Sequence, residues 1–515
     1  YRILMLIPKG GAQAAKTVLG IFTHARNFFS AAITTVHRGN ILISPAKIGE
    51  FANRARKAVQ PQLLYKATGN PKYRNAPEDQ AMYRFLLEEG VTNQNIQARE
   101  VEGMFQDVAQ IRTRYGSVDR YFNKVLNTGT KKLQKIYDVA QDLYTAEDDA
   151  FRIFNFLAEA HKLDNAFEIA IKKGIKDASG KVVTRANKPS DLEIMKEAAL
   201  IVRETVPNYA YVSDFVKSVR RSPVGNFAAF PAEIYRTGTN TTMRALKEIK
   251  DPVRKQIGYN SLIGQGFTYA VLPPAAVEIF RGLYGITRDQ LSAIKEMLPT
   301  WSEDNTILPI YENGKYKYID FSHGFFYDTM TQPVQTVLSG VQRNPDQPLV
   351  PALLDGIVKA MGSVLDPFIG EAIWTGVVLD IFARGGQTKE GRRIYNERDP
   401  LGDKISKSFQ HAAYELSPLS VPQLIRLYGA AAEKTLKGEK YEIPDELLGF
   451  TGFRKVPINL EKNLNFKIAE FKRNQRKERS MIYEGTRTGD PVTDRNQIIR
   501  QYIKANRQHL ETYWR

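Results

Sequence analysis

Residues 256–277 read Gln256-Ile257-Gly258-Tyr259-Asn260-Ser261-Leu262-Ile263-Gly264-Gln265-Gly266-Phe267-Thr268-Tyr269-Ala270-Val271-Leu272-Pro273-Pro274-Ala275-Ala276-Val277, and no charged residue stands between Lys255 and Glu278. A helix of this length reaches across a bilayer. The stretch also holds Gln256, Asn260, Ser261 and Gln265, three glycines and the pair Pro273-Pro274. Membrane helices tolerate some glycine and proline, but rarely in this combination with polar side chains. The stretch therefore reads as a buried pair of helices in preference to a membrane span.

The flanks belong to the same pattern. Upstream, Pro223-Val224-Gly225-Asn226-Phe227 leads through Phe230-Pro231-Ala232 to a helix over 233–249, and Asp251-Pro252 reads as a cap with proline at the first helical position. Downstream, Gly285-Ile286-Thr287 opens a capped helix reaching Leu298. Segments 307–311 and 315–321 flank Glu312-Asn313-Gly314, the strongest hairpin signal in the chain.

Toward the N-terminus, apolar residues at helical spacing predict helices over 12–36, ended by Gly39-Asn40, and over 46–59, with 61–77 as a connector. Further helices are expected over 78–89, 94–114, 118–126 and 130–144. Thr145-Ala146-Glu147-Asp148 reads as the start of another, with a threonine cap and acids in the first turn. Its face of Phe151, Phe154, Phe156, Leu157, Leu163 and Phe167 reads as core. Residues 175–188 form a loop or small hairpin, Ser190-Asp191 caps a helix to 204, and Pro207 begins one reaching about Arg220. In the C-terminal half, 347–382 is helical and semi-apolar, but carries Asp355, Lys359, Asp366, Glu371 and Asp380, which makes a permanently inserted helix costly. Helices follow over 401–416 and 421–437, then a connector over 444–457 and a strongly basic segment from Leu460.

The expected fold class is all-α, an elongated multi-helix body with one small β-hairpin near 306–321. Composition shifts divide the 515 residues into 1–60, 61–220, a central region 221–345 with the hairpin, a semi-apolar region 346–458, and basic C-terminal helices over 459–515. Tyr1 in place of an initiator methionine marks a processed product or part of a longer chain, and Tyr1–Ile7 is too short for the apolar segment of a signal peptide.

Composition narrows the chemistry. Lys and Arg number 73 against 56 Asp and Glu, a net charge of +17 that favours nucleic acid, anionic lipid or an acidic protein as partner. Cysteine is absent, which removes disulfides, thiol chemistry and the commonest structural zinc sites. His24, His37, His161, His323, His411 and His509 are too scattered for local metal-ligand spacing. No phosphate-binding loop or nucleophile elbow occurs. No cofactor is expected. Lys472, Arg473, Arg476, Lys477 and Arg479 are the candidate contacts for nucleic acid or lipid, because helical spacing gathers several of them on one face. Phe267, Val271, Leu272, Trp374, Val377 and Val378, in the two semi-apolar segments, are the candidate membrane-proximal residues.

Packing and capping patterns along the whole chain carry a family resemblance. They are Lys16-Thr17-Val18-Leu19 with His24-Ala25-Arg26-Asn27-Phe28, Leu143-Tyr144 with Glu147-Asp148-Asp149 and Phe151, and Glu197-Ala198-Ala199 with Val206-Pro207-Asn208-Tyr209. Arg221-Ser222-Pro223-Val224-Gly225-Asn226-Phe227, Phe230-Pro231-Ala232-Glu233, Gly285-Ile286-Thr287, Leu298-Pro299-Thr300-Trp301 and the hairpin complete the set. With these the chain resembles the helical region of large internal virion proteins of tailed phages. It is similar to the ejection, or inner core, proteins of short-tailed marine podoviruses, and to helical regions of large polyvalent proteins of phages and mobile elements. The resemblance implies residence in the capsid near the portal and ejection with the genome. It further implies a part in a DNA conduit across the host periplasm or inner membrane. The implied partners are other internal core proteins, the portal, packaged double-stranded DNA, host membrane after ejection, and further copies of the chain in a ring. It implies no catalysis by this region. Two alternatives stand beside it: an enzyme acting on nucleic acid or peptidoglycan through carboxylates brought together from distant positions, and a passive DNA-binding packaging protein.

Overall fold

A computed structural model describes residues 21–68, 76–92, 119–208, 229–298, 305–323, 373–388, 393–396, 398–416, 420–433 and 441–458, with isolated positions besides. The protein is predominantly helical with a small antiparallel sheet. In chain order the helices are α1 (Ile21–His37), α2 (Pro45–Thr68), α3 (Pro77–Glu88), α4 (Asp119–Lys173) and α5 (Asp191–Thr205). Next come α6 (Ala229–Lys250), α7 (Lys255–Gly266), a π-helical turn (Phe267–Val271), α8 (Leu272–Leu283) and α9 (Arg288–Glu296). Strands β1 (Ile307–Glu312) and β2 (Lys315–Asp320) follow. Then come α10 (Ile373–Val378) with a second π turn (Leu379–Ala383), α11 (Leu401–Leu416), α12 (Ser420–Ala431), α13 (Ile443–Gly449) and β3 (Lys455–Pro457).

Helix α4 is the spine. Its 55 residues span about 80 Å at 1.5 Å per residue. Breaks expected after Leu126 and at Thr145 are absent, and the helix is continuous. The acids expected to cap a start at Thr145 lie mid-helix, where two of them hold other elements and Asp148 pairs within α4. Glu147 meets His24 at 3.1 Å, Asp148 meets Arg152 at 2.8 Å, and Asp149 accepts from the Tyr83 hydroxyl at 2.7 Å. A first core packs α2, α3, α4 and α5 around Phe51, Leu86, Phe154, Phe156, Leu163 and Ile201. The aromatic face of α4 is thus core, as its spacing predicts. Phe151 is half-buried and receives Phe28 edge-on at 5.0 Å.

A second core gathers Ile33, Ile234, Tyr269, Leu308, Ile310, Ile319 and Phe321 between α1, α6, the first π turn and the sheet. Helix α1 serves both. Phe28 turns to α4, while the next residue, Phe29, packs edge-on against Phe321 and Phe453 at 5.6 and 5.2 Å.

Several boundaries depart from the periodicity. Helix α2 continues through Pro61 to Thr68, so the connector begins later than expected. An interior proline removes one hydrogen bond and crowds the preceding turn, but Leu63 packs onto the first core and holds the continuation. Asp251 caps a turn, accepting from the Val253 amide at 2.9 Å, and α7 starts four residues later. The expected connector over 444–457 contains α13 and β3. Capping boxes at Ser190/Glu193 and Thr287/Gln290 match the sequence signals, and the 175–188 loop closes through a bridge between Lys176 and Val182. The expected helices over 94–114 and 209–220, residues 12–20, the Arg221–Phe227 and Pro299–Trp301 segments, and 347–372 lie outside the described residues.

The expected hairpin forms, with Glu312 opposite Lys315 and Asn313-Gly314 as its two-residue turn. Asn313 and Gly314 have φ of 52° and 72°, the left-handed pair that a two-residue turn between twisted strands requires. Strand β3 then joins β2, setting Val456 against Tyr318.

Helix α7 is clamped by close backbone approach. A side chain at Gly264 would run into Val36 O and the Gly39 amide nitrogen at the end of α1, and one at Gly258 into Ala245 O of α6. Gly266, on the same helix, faces open space. Gly264→Ala is expected to cost about 1–3 kcal/mol through overpacking. Gly266→Ala should be neutral or stabilising by up to ~1 kcal/mol, because alanine favours the helix. Urea unfolding of the two variants checks the contrast; equal effects would contradict the clamp.

Candidate functional site

The described ionisable groups concentrate at the junction of α1, α4, α6 and α5. Helix α1 ends at Gly39, whose φ of 73° makes the left-handed exit that closes a helix. That exit sends the Arg38 side chain inward, where it is 2% exposed. Its Nε donates to Glu159 Oε1 of α4 at 3.0 Å, and its Nη2 to Glu248 Oε1 of α6 at 2.6 Å. Lys162, one turn beyond Glu159, donates to the same carboxylate at 2.8 Å. Arg244 reaches Glu248 at 3.2 Å and Glu204 and Glu197 of α5 at 3.1 Å, and Arg254 donates to Glu197 at 2.8 Å. An amide layer lies alongside: Asn40 Nδ2 donates to Asn155 Oδ1 at 2.7 Å, and Asn155 Nδ2 to the Thr35 hydroxyl at 3.2 Å.

Burial opposes every charge here, and the partners decide the outcome. Glu159 is held below the usual carboxylate range, because Arg38 and Lys162 outweigh the cost of desolvation. Arg38 is held more firmly protonated by its two carboxylates, although desolvation opposes it. Lys162 is pushed down to about 8 by burial, since Glu159 is already matched by Arg38, which also repels the ammonium. His37 is pushed down to about 3 by burial and by Arg38, and its ring packs edge-on to Tyr269 of the first π turn at 5.0 Å.

A second ionic cluster fastens the sheet. Lys317 points inward on β2, on the face that also buries Ile319, and donates to Asp445 at 2.5 Å and Glu442 at 2.8 Å. Lys455 on β3 meets Glu312 at 2.8 Å and Asp445 at 3.3 Å. These partners carry α13 onto the hairpin.

Paired carboxylates do converge in this fold, and each of the following described pairs encloses a cation. Glu159 and Glu248 enclose Arg38, Glu197 and Glu204 enclose Arg244, Asp164 and Glu168 enclose Lys188, and Glu442 and Asp445 enclose Lys317. A glycosidase pair instead leaves a gap for substrate and water. Described histidines also have structural neighbours: His24 meets Glu147, His161 packs on Phe51 at 5.7 Å, and His411 lies 3.5 Å from Asp380. Among the described residues no group of three or more His, Asp or Glu side chains could hold a metal ion.

One cavity of about 570 Å³ opens between α2, α3, α4 and α5. Phe51, Met82, Phe85 and Phe156 line its apolar floor, and Lys47, Glu50, Arg54, His161 and Asp164 lie around it. Lys47 is paired with Glu50 at 2.8 Å, and burial with the nearby Lys47 lowers the His161 pKa. An apolar floor under a rim of mixed charge suits an apolar side chain.

The α7–π–α8 run shows an unusual division of polarity. Its buried side carries Gly258, Ser261, Gly264, Gln265 and Thr268, with Gln265 accepting from the Thr242 hydroxyl of α6 at 2.7 Å. Its outer side carries Tyr259, Ile263, Phe267 and Val271, all exposed. Of the expected membrane-proximal residues, Phe267 and Val271 are therefore exposed, Leu272 packs partly on the second core, Val377 is buried and Val378 half-buried. Trp374 lies in α10, and its side chain falls outside what the structure describes. Among the described residues no helix is long and apolar enough to cross a membrane. Lys472, Arg473, Arg476, Lys477 and Arg479 lie outside the described residues.

Sequence reasoning missed the Arg38 junction because its members are 121 and 210 positions apart. The available signal was Glu159 and Lys162, charges standing within the aromatic face of α4. Comparison with protein-family models, with curated proteins and with solved structures finds no match.

Arg38→Met is expected to destabilise the protein by about 3–5 kcal/mol, because it takes from two buried carboxylates the cation they share, leaving Glu159 to Lys162 and Glu248 to Arg244. Replacing Arg38, Glu159, Lys162 and Glu248 together by methionine should recover much of that loss; urea unfolding measures both. His37 adds a pH dependence. Its folded pKa lies below its unfolded value, so the unfolded chain alone takes up the proton between pH 6.5 and about 3. Stability should fall as pH drops through that window, by roughly 5 kcal/mol at most for this group, and His37→Gln should flatten that part of the profile.

Proposed function

We propose that this chain is a structural, channel-forming internal virion protein of a tailed phage, ejected with the genome to form part of the DNA conduit across the host envelope. The observation that carries the reading is the use of the described charge. Convergent carboxylates enclose cations that join one helix to another, while a long apolar helix face is left to solvent. A chain whose buried chemistry is spent on joining helices, and which leaves Tyr259, Ile263, Phe267 and Val271 of one helical run to solvent, suits assembly rather than turnover. The net charge of +17 and the absence of cysteine suit close contact with packed DNA and refolding after transit without disulfides to rearrange. Its partners on this reading are other core proteins, the portal, further copies in a ring, and DNA bound without sequence preference.

Reconstruction of the interior of intact particles, without imposed capsid symmetry, tests this directly. Density for the chain in a ring on the portal axis is the expected result, and a purified particle that lacks the chain overturns the reading. DNA contact has its own readout. The logarithm of DNA affinity should fall linearly with the logarithm of salt concentration, with a slope of about 0.9 for each phosphate neutralised. Substituting Lys472, Arg473, Arg476, Lys477 and Arg479 by glutamine should flatten that slope; an unchanged slope removes this segment from the DNA interface.

A further inference from the structure

The outer side of the α7–π–α8 run carries a stripe at four-residue steps: Tyr259, Ile263, Phe267 and Val271, resumed by Ile279 and Leu283. All are exposed, with Ile263 at 57%, Ile279 at 59% and Leu283 at 73%. A four-residue step in a regular α-helix drifts about 40° each time, so three steps would carry the stripe about 120° round the axis. The extra residue of the π turn at Phe267–Val271 takes back about 100° of that drift and keeps Tyr259 and Val271 on one side. Along a straight axis the one-sided part, Tyr259 to Val271, is about 18 Å long; beyond it the drift resumes, and Ile279 and Leu283 carry the apolar band on round α8.

The opposite side of α7 is the more polar one. Between Ile257 and Tyr269, which reach the two cores at its ends, it buries glycine, serine, glutamine and threonine, hydrogen-bonded to one another and to α6. A helix packed on a protein in water has the reverse arrangement, apolar inside and polar outside. Small residues at the helix contact, polar groups satisfied within and large apolar side chains outside are what helices show where the surroundings are apolar. Lys247 and Lys250 on α6 and Lys255 at the start of α7 stand exposed beside the run, which is uncharged as far as Glu278; there Glu278 pairs with Arg281 at 2.6 Å and lies 3.9 Å from Arg288.

From this inverted polarity we infer that the outer α7–π–α8 face docks on an anionic lipid surface, lying in its interfacial plane with the flanking cations at the headgroups. It does not span, since no described helix is long and apolar enough to cross. A second copy is the less suited occupant, because a symmetric pair would bring the same basic rim to both sides of the contact. This docking rests on the conduit reading for its place at the host envelope, and on the polarity of α7 for its chemistry.

The test is flotation of the full chain with vesicles of phosphatidylcholine alone or mixed with phosphatidylglycerol. Co-flotation with the mixed vesicles is expected, and at least about tenfold weaker partitioning for the triple variant Ile263→Ser, Phe267→Ser, Ile279→Ser. These side chains are exposed, so the variant should keep the parent's circular dichroism and urea midpoint. Phe267→Trp should gain quenching by brominated lipid over the parent. A parent that does not float, or a triple variant that floats equally well, overturns the inference. A lipid-free dimer that the triple variant dissolves into monomers overturns it in favour of self-association. Absence of the chain from particles would overturn the conduit reading and leave vesicle binding standing.

Discussion

Arg38 is the constraint on which the helical body depends. A guanidinium with almost no solvent contact needs compensation on every side, and its partners come from helices far apart in the chain. Glu159 brings the spine α4 to the end of α1, and Glu248 brings α6 to the same point. Arg244 and Arg254 extend the chain of charges to α5. A hydrophobic contact would tolerate a turn of slippage between these helices; a forked donor between two carboxylates does not. The crossing of α1 over α7 is set beside it by Gly39 and Gly264, which allow the two backbones to meet.

The same device recurs where the sheet joins the helices. Lys317 occupies a position on β2 where alternation would place an apolar residue, and its carboxylate partners lie on and beside α13. The small sheet is thus fastened by the charges on Lys317 and Lys455 and by the packing of Phe29, Phe321 and Phe453. Both clusters consume acids that could otherwise have formed a reactive pair.

The run from Lys255 to Leu283 gives this scaffold its outward character. Polar side chains are drawn inward because α6 offers hydroxyl partners such as Thr242 and because glycine permits close approach. Apolar side chains are left outside. The lack of charge between Lys255 and Glu278 is plain in the sequence and suggests burial on all sides. Only one side is buried; the other is the exposed stripe.

Local physics is legible in the chain itself. Asn313-Gly314 dictates a hairpin because only such residues hold two successive positive φ angles at little cost. Ser190 and Thr287 cap helices because their side chains satisfy free amides within three residues, and the aromatic spacing of α4 declares its core face. Long-range pairing is not legible. The continuity of α4 through Thr145, the union of Arg38 with Glu159 and Glu248, the inward turn of Lys317 and the addition of β3 each depend on a partner from a distant part of the chain. Such a partner leaves no periodic trace, since electrostatic compensation depends on distance in space and not on spacing along the chain. The sequence by itself determined which segments coil and where most of them stop; the tertiary structure alone decided which charges are neutralised and which apolar side chains are left uncovered.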